Sequence, residues 1–315
     1  MKVLVVGSSG FVGSNMNLVS PDIQFYGLDV VEGENTSDTR YMHFEKLNFL
    51  SDEAIDFIKW VAPDYIVLLA GIQFTSPIQK RKDRERDFSE NVKIARRASE
   101  LLSSISTIKK LIFVSTDMVY GIQQSKTVDE ESECKPIGEY GKSKLRAEGI
   151  LREFDSRTVI FRPRLIVGPG RAGTIKLISR IISRHLPIPF IGRGENRYQM
   201  ISVFDLWSAI SMCLDTDVYG VFNLGSNAPP TLNELFPRVL RNLGRTNIII
   251  RLPRKLTEKT LLLMDYFNLS PLAPEQFLIA GQNCVLSTMK FMDATGWAPQ
   301  YSDEDMITRA FLDLT

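Results

Sequence analysis

The chain has 315 residues, of which 44% are hydrophobic and 24% are charged, which is ordinary for a soluble protein that buries a sizeable core. Lys and Arg total 38 and Asp and Glu total 37, and a net charge of +1 gives no reason to expect a nucleic-acid or membrane partner. No apolar run reaches the length of about 18 residues that predicts a transmembrane helix. The three cysteines lack disulfide or zinc-ligand spacing, so we expect a reduced cytoplasmic protein that binds no metal.

Short apolar runs alternate with segments of helical periodicity in the first half of the chain. The runs predict strands at 3–6, 23–28, 43–47, 65–69, 111–115 and 158–161. Continuous apolar strands separated by amphipathic helices are typical of a parallel sheet that is covered on both faces. We therefore predict an α/β fold: a doubly wound, Rossmann-like parallel sheet with a smaller, mixed α/β substrate lobe.

Proline and glycine interrupt this regularity after about residue 165. Helical periodicity returns at 175–184, 205–214, 232–243 and 303–314. The segment 221–225 is typical of a strand that returns to the first domain. The predicted division is 1–165, completed by about 200–226, for the cofactor-binding domain, and 166–199 with 227–315 for the substrate-binding lobe.

The glycine motif Gly7-Ser-Ser-Gly10-Phe-Val-Gly13 directly follows the first predicted strand and opens a predicted helix at Phe11. Glycine lets the backbone approach a ligand closely, and the start of a helix favours a negatively charged group. The motif predicts a dinucleotide site, with a ligand-free tight turn as the alternative. Asp29 ends the second strand, where a carboxylate binds the ribose hydroxyls of NAD and repels the 2′-phosphate of NADP. We therefore predict NAD rather than NADP.

Tyr140 and Lys144 are four residues apart in a segment of helical periodicity, which places both side chains on one face. Free tyrosine has a pKa of about 10, and a neighbouring ammonium group lowers that pKa. The pair predicts an acid/base tyrosine that takes a proton from an alcohol or sugar hydroxyl, although a surface helix pair has the same spacing. The strand at 111–115 ends near this site, so we expect Ser115 or Thr116 to contact the same substrate oxygen.

The motifs together resemble the extended short-chain dehydrogenase/reductases, in particular the nucleotide-sugar epimerases, dehydratases and 4-ketoreductases. The further matching segments are Leu69-Ala70-Gly71, Asn91, Ser115 to Gly121, Arg162-Pro163, Gly168-Pro169-Gly170, Gly192 to Leu206, Asn223-Leu-Gly225 and Gly296-Trp-Ala-Pro299. The resemblance covers nearly the whole chain. It implies NAD as the cofactor, a nucleotide-diphosphate sugar as the substrate and a homodimer paired through helices at 87–102 and 139–152.

The resemblance also implies roles for individual residues. The catalytic set would be Thr116 as the hydroxyl partner, Tyr140 as the acid/base and Lys144 as its activator, which also holds the nicotinamide ribose. Thr116 and Asp117 would contact the substrate, and Arg197 would clamp its diphosphate, a task that suits a bidentate guanidinium. The cofactor-binding residues that the motifs and the resemblance imply are Gly7, Gly10, Phe11, Val12, Gly13, Asp29, Asn48, Leu69, Ala70, Gly71, Asn91, Tyr140, Lys144 and Pro163.

Departures from the family's pattern bear on the reaction. Thr116-Asp117-Met118 stands where the 4,6-dehydratases have Thr-Asp-Glu, and methionine cannot move a proton, so dehydration is disfavoured. The role of Asp117 is left open, between substrate contact and turn formation. Leu165 replaces an asparagine that many UDP-sugar enzymes use, and Asn48 replaces an aspartate near the adenine.

Both remaining reactions use the same three catalytic residues. We predict an NAD-dependent nucleotide-sugar 4-epimerase that oxidises C4 transiently and returns the hydride. The alternative is an NAD(P)H-dependent 4-ketoreductase of deoxysugar synthesis. A non-catalytic dinucleotide sensor is disfavoured, because a sensor needs no catalytic triad.

Overall fold

The computed structural model describes residues 1–18, 21–33, 41–74, 80–123 and 127–313. The strands are β1 Lys2–Val6, β2 Gln24–Asp29, β3 His43–Lys46, β4 Tyr65–Leu68, β5 Lys110–Val114, β6 Thr158–Pro163, β7 Leu165–Val167, β8 Ile188–Ile191, β9 Met200–Ser202, β10 Gly220–Leu224 and β11 Ile249–Leu252. The α-helices are α1 Phe11–Ser14, α2 Asp52–Val61, α3 Arg84–Ser104, α4 Glu139–Leu151, α5 Thr174–Ser183, α6 Val203–Asp215, α7 Leu232–Asn242, α8 Arg254–Tyr266, α9 Pro274–Ala280, α10 Met289–Thr295 and α11 Asp303–Leu312.

The central sheet of the described residues has seven strands in the order β10-β6-β5-β4-β1-β2-β3, and all neighbouring strands are parallel. The chain runs outward from β1 to β3 and then crosses to β4 on the other side of β1. The carboxyl ends of β1 and β4 therefore flank the topological switch point, where open α/β sheets bind their ligands. This topology confirms the predicted doubly wound, Rossmann-like fold.

Strand β1 shows why the strands are continuous apolar runs in the sequence. Val3 and Val5 are buried in a cluster on one face of the sheet together with Trp207 of α6. Leu4 and Val6 are buried on the opposite face, against α2 and α3. Since successive side chains of a strand point to opposite faces, helices on both faces require apolar residues at every position.

The elements observed along the chain agree closely with those expected. Strands β1 to β6 occupy the six predicted runs, and α5, α6, α7 and α11 occupy the four later helical segments, although the last predicted residue, Leu314, lies outside the described residues. The segment predicted to return to the first domain forms β10, which pairs with β6 at the edge of the sheet. The helix that begins at Phe11 is only one turn long.

A separate core lies in the carboxy-terminal part of the molecule. Val167, Phe190, Leu235 and Phe311 are buried together among β7, β8, α5, α7 and α11. Two parallel two-stranded sheets, β7 with β9 and β8 with β11, lie outside the central sheet. The predicted domain boundaries stay a prediction, as does a homodimer through α3 and α4, which pack on each other within this chain.

Candidate active site

Glycine shapes the turn that follows β1. Gly7 has a φ of +89°, and a Cβ at this position would lie 2.6 Å from the backbone nitrogen of Ala70. A Cβ at Gly13 would overlap the carbonyl oxygen of Ser8. The turn therefore has room only for glycine, and its backbone lies directly against the segment that follows β4.

Asp29, at the end of β2, lies against this glycine turn. One carboxylate oxygen accepts from the N–H of Ser9 at 2.9 Å, and the other accepts from the N–H of Val30 at 2.7 Å. Asn48 is exposed after β3, and its side-chain oxygen accepts from the N–H of Leu50 at 2.9 Å. A bare backbone turn beside a strand-end carboxylate fits the pyrophosphate and ribose of a dinucleotide.

Groups that are distant in sequence hold the single turn of α1. The indole N–H of Trp207 donates to the carbonyl oxygen of Val12 at 2.8 Å. The side-chain amide of Asn15 donates to the carbonyl oxygens of Phe11 at 2.8 Å and Pro169 at 3.1 Å. A short helix has a small dipole, so the free N–H groups of the turn are the main attraction for an anion here.

Asn91 of α3 fixes the segment that follows β4. Its side chain accepts from the N–H of Ile72 at 2.7 Å, donates to the carbonyl of Ile72 at 3.1 Å and donates to the Ser143 hydroxyl at 3.0 Å. A Cβ at Gly71 would lie 3.8 Å from Nζ of Lys144. The predicted strand-end segment is therefore adjacent to the predicted catalytic lysine.

Helix α4 carries Tyr140 and Lys144 on its inward face. Nζ of Lys144 donates to the carbonyl oxygen of Val114 at 2.8 Å. The ring of Tyr140 packs against Phe74 and Phe88, with centroid distances of 5.2 and 5.5 Å. Both predicted catalytic side chains are buried, and aromatic rings shield the phenol from water.

Burial dominates the protonation of both groups. It raises the pKa of Tyr140 above the ordinary value; the Arg171 cation is the largest opposing influence, and a hydrogen bond with Thr116 also lowers it. Burial lowers the pKa of Lys144 to about 7, against the opposing effect of Glu148. The phenol of Tyr140 is therefore protonated at neutral pH, and its use as a base needs positive charge placed close to it.

Ser115 and Thr116, the two expected hydroxyl partners, have different neighbours. The hydroxyl of Ser115 donates at 2.5 Å to Glu148, which is also bound by Arg162. The hydroxyl of Thr116 accepts from the N–H of Met118 at 3.3 Å and is hydrogen-bonded with Tyr140. Both residues line the cavity described below, but Glu148 engages the hydroxyl of Ser115, and of the two only Thr116 lowers the pKa of the tyrosine.

Asp117 forms a buried ion pair in the same wall. Its Oδ2 lies 2.5 Å from Nη1 of Arg164, and the two side chains are 5% and 2% exposed. The guanidinium carbon of Arg164 lies 4.3 Å from the ring centroid of Tyr198. Nε and Nη2 of Arg164 are buried and have no hydrogen-bond partner among the described residues.

A cavity of about 290 Å³ gathers most of the predicted catalytic and substrate residues. The predicted residues in its wall are Phe11, Val12, Leu69, Gly71, Ser115, Thr116, Asp117, Tyr140, Lys144 and Pro163. The predicted residues outside its wall are Gly7, Gly10, Gly13, Asp29, Asn48, Ala70, Asn91 and Arg197. The guanidinium of Arg197 donates to the carbonyl of Pro229, and the predicted role of Arg197 toward a substrate diphosphate stays a prediction.

Sequence reasoning missed several residues of this wall. Arg164, Arg171, Tyr198 and Phe74 all line the cavity, and the guanidinium carbon of Arg171 lies 4.8 Å from the ring centroid of Phe11. A signal for Arg164 was present, because an arginine between the apolar stretches of β6 and β7 has to be buried with a partner. No comparable signal marks Arg171, which follows a glycine-rich segment.

Glu275 of α9 is a second residue that the sequence did not reveal. Its carboxylate oxygens accept from the N–H groups of Tyr140 and Gly141, each at 3.1 Å. Burial raises the pKa of Glu275, and these two hydrogen bonds oppose that effect. A carboxylate here satisfies free donors at the start of α4, and so fixes the helix that carries the tyrosine.

Comparison with known proteins gives relatives along most of the chain. The model of the NAD dependent epimerase/dehydratase family matches residues 3–225. The chain is 31% identical over 213 residues to the uncharacterized protein y4nG of Sinorhizobium fredii; the match covers 66% of this chain and about half, 54%, of that relative. It is 24% identical over 225 residues to a UDP-glucose 4-epimerase of Vibrio cholerae, covering 68% of this chain and 66% of the relative.

A third relative is the N-acetyl-α-D-glucosaminyl-diphospho-ditrans,octacis-undecaprenol 4-epimerase of Escherichia coli O157:H7. The chain is 26% identical to it over 263 residues, covering 80% of this chain and 75% of the relative.

Solved structures share the whole fold at low identity. The UDP-glucuronic acid 4-epimerase of Bacillus cereus is 17% identical with a TM-score of 0.79, covering 100% of this chain and 98% of that one. The UDP-glucose 4-epimerase of Thermotoga maritima is 21% identical with a TM-score of 0.78, covering 99% and 98%. With the family match over residues 3–225, the chain belongs to the NAD dependent epimerase/dehydratase family, enzymes of the extended short-chain dehydrogenase/reductase type whose cofactor is NAD.

Proposed function

We propose that this protein is a nucleotide-sugar 4-epimerase that oxidises C4 of the sugar transiently and then reduces it from the other face. The observation that carries the proposal is the wall that Thr116, Tyr140 and Lys144 share, next to the glycine turn. The Vibrio cholerae and Escherichia coli relatives, both named as 4-epimerases of diphosphate-linked sugars, support it. When bound, NAD supplies the acceptor for the C4 hydride and the donor that returns it.

The residues of the chain move the proton and hold the sugar. Tyr140 acts as a phenolate, which the Lys144 ammonium and the positive charge that NAD would bring when bound would stabilise. In that form it takes the proton of the C4 hydroxyl as the carbonyl forms, and Thr116 binds the same oxygen. Arg171 lowers the pKa of the phenol against the effect of burial, and the rings around Tyr140 exclude water from the transfer. After the ketone turns in the cavity, Tyr140 returns the proton.

The remaining assignments follow the sequence predictions. The glycine turn receives the pyrophosphate, Asp29 receives the adenosine ribose and Lys144 receives the nicotinamide ribose. Arg197 binds the substrate diphosphate. Dehydration is disfavoured because Met118 moves no proton and the Asp117 carboxylate is engaged by Arg164.

The variant Tyr140→Phe tests the acid/base assignment. We expect turnover to fall to the detection limit while NAD binding is retained, because only the hydroxyl that exchanges the proton is lost. Turnover is followed by NMR of C4 epimers over a nucleotide-sugar panel, and NAD binding by calorimetry. Tyr65→Phe, at the distant start of β4, is the matched control and should keep full turnover. Surviving turnover in Tyr140→Phe would overturn the mechanism.

The cofactor balance separates the two closest reactions. A 4-epimerase interconverts C4 epimers with no net consumption of nicotinamide cofactor. Consumption of added NADH or NADPH with a 4-keto sugar, without epimer exchange, would instead assign the site to a 4-ketoreductase.

A further inference from the structure

Helix α8 pairs both of its acidic residues within the protein. Glu258 lies 2.7 Å from Nε of Arg254 on the same helix. Asp265 is buried and accepts from Nη1 of Arg84 of α3 at 3.1 Å. The Asp265–Arg84 pair attaches α8 to α3, and the two pairs together leave the outward face of α8 without an unpaired carboxylate.

The outward face of α8 and the residues that follow it are apolar. Large side chains with exposed fractions between 44% and 69% lie here: Leu256, Leu262, Leu263, Tyr266, Phe267 and Leu269. Their spacing of three, four and seven residues places those of the helix on one side. Exposed apolar side chains grouped in this way mark an interaction surface rather than scattered surface residues.

Exposed cations lie at both ends of this stripe. Lys255 and Lys259 belong to its amino-terminal half. Arg81 lies beside its carboxy-terminal half: its N–H donates to Oδ1 of Asn268 at 2.9 Å, and its guanidinium carbon lies 5.3 Å from the ring centroid of Tyr266. The exposed sequence neighbours of Arg81 are Lys80 and Lys82.

We propose that this face, defined by the apolar residues above together with Lys255, Lys259 and Arg81, docks the protein onto a membrane surface that contains anionic phospholipid. An apolar stripe flanked by Lys and Arg is the chemistry of helices that lie in the lipid interface, where the apolar residues enter the acyl boundary and the cations meet the headgroups.

Charge complementarity favours a lipid surface over a second copy of the chain. In a symmetric dimer the same face would meet itself and bring the lysines of two α8 helices together without an exposed acidic residue of α8 to pair them. Among the described residues no helix is long and apolar enough to cross a membrane, so attachment would be peripheral. No residue of α8 lines the catalytic cavity, and the proposal is independent of the reaction.

Co-sedimentation of the full-length protein with vesicles tests this proposal. We expect binding to vesicles of equal parts phosphatidylcholine and phosphatidylglycerol, weakening with added salt, and little binding to pure phosphatidylcholine. No binding to the anionic vesicles, or equal binding to both compositions, would overturn it.

Matched variants locate the surface. Lys255→Glu with Lys259→Glu should lower the affinity for anionic vesicles by at least about tenfold, because each reversal replaces attraction by repulsion. Lys59→Glu with Lys176→Glu, exposed lysines of α2 and α5, should have a much smaller effect. Leu263→Ser should weaken binding, whereas Leu312→Ser on α11, of similar exposure, should not.

Circular dichroism melts confirm that the variants fold, and sedimentation velocity reports the oligomeric state. Equal vesicle binding by the α8 variants and their controls would overturn the proposal. The proposal would also be overturned if the protein binds no vesicles and is instead a dimer that the substitution Leu263→Ser dissociates. In that case a second copy of the chain would cover the face.

Discussion

Among single residues, Asp117 and Arg164 form a buried ion pair in the cavity wall. Both side chains are almost fully buried, and each is the charged partner of the other. Breaking such a pair from one side leaves an uncompensated buried charge, which costs about 3–5 kcal/mol. Removing both charges together avoids that cost.

We expect Asp117→Ala to lower the free energy of unfolding by about 3–5 kcal/mol, because Arg164 then keeps a buried charge without a partner. Asp117→Ala with Arg164→Met should recover most of the loss. Urea unfolding measures both variants, with Glu90→Ala at the exposed Lys93 pair as a control that changes stability little. A double variant as unstable as the single one would contradict this account.

Among the secondary-structure elements, the sequence prediction succeeds where the apolar side chains point into the core. Strands β1 to β6 were predictable because helices cover both faces of the sheet. Helix α8 was not predicted, since its largest apolar side chains face outward and give no core stripe. The one-turn length of α1 was not predictable either, because the side chain of Asn15, which follows the end of α1 and binds the Phe11 carbonyl, is also held by Pro169, 154 residues away.

Within the site, local patterns could be predicted and contacts of long sequence separation could not. The glycine turn, Asp29 and the Tyr140–Lys144 pair are local patterns and could be read from the chain. Arg171 and Glu275 act across long sequence separations, which a single sequence does not reveal.

Helix α11 gives a pH-dependent contribution to stability. Asp303, its first residue, accepts from the N–H of Met200 at 2.8 Å and from the Ser226 hydroxyl at 2.7 Å. Burial raises its pKa from 3.8 to about 6. The folded protein therefore binds this proton more tightly than the unfolded chain, so the stabilisation is present below about pH 4 and is lost as pH rises through about 6.

The variant Asp303→Asn cannot ionise at this position, so we expect its free energy of unfolding not to show this fall as pH rises. Between pH 4 and 7 the stability of the wild type should fall relative to this variant by on the order of 3 kcal/mol. Urea unfolding across this pH range measures the difference, and Asp305→Asn, exposed in the same turn, is the control. Parallel pH profiles for wild type and Asp303→Asn would contradict the assignment.

At the scale of the whole molecule, the carboxy-terminal part holds α4, the helix that carries Tyr140, in place. Glu275 reaches the start of α4 across 135 residues of sequence, and Asp265 reaches Arg84 at the start of α3 across 181. The position of Tyr140 therefore depends on elements that lie after the region matched by the family model.

We expect Glu275→Ala to lower kcat by about tenfold or more with little change in KM, because two N–H groups at the start of α4 lose their acceptor and Tyr140 loses its position. Glu275→Gln, which keeps one of the two acceptor oxygens, should restore part of the activity. Glu258→Ala on α8 is the control. A loss in Glu275→Gln as large as in Glu275→Ala would show that the charge, and not the positioning, is required.

The bonds that hold α1 also bear on the order in which the molecule is made. The glycine turn is synthesised among the first residues, yet its final shape depends on a carbonyl at Pro169 and an indole at Trp207. Contacts of such long separation form late, after the intervening chain has closed. We therefore expect the bonds that hold α1 beside the glycine turn to form in a nascent chain only once α6 has emerged from the ribosome.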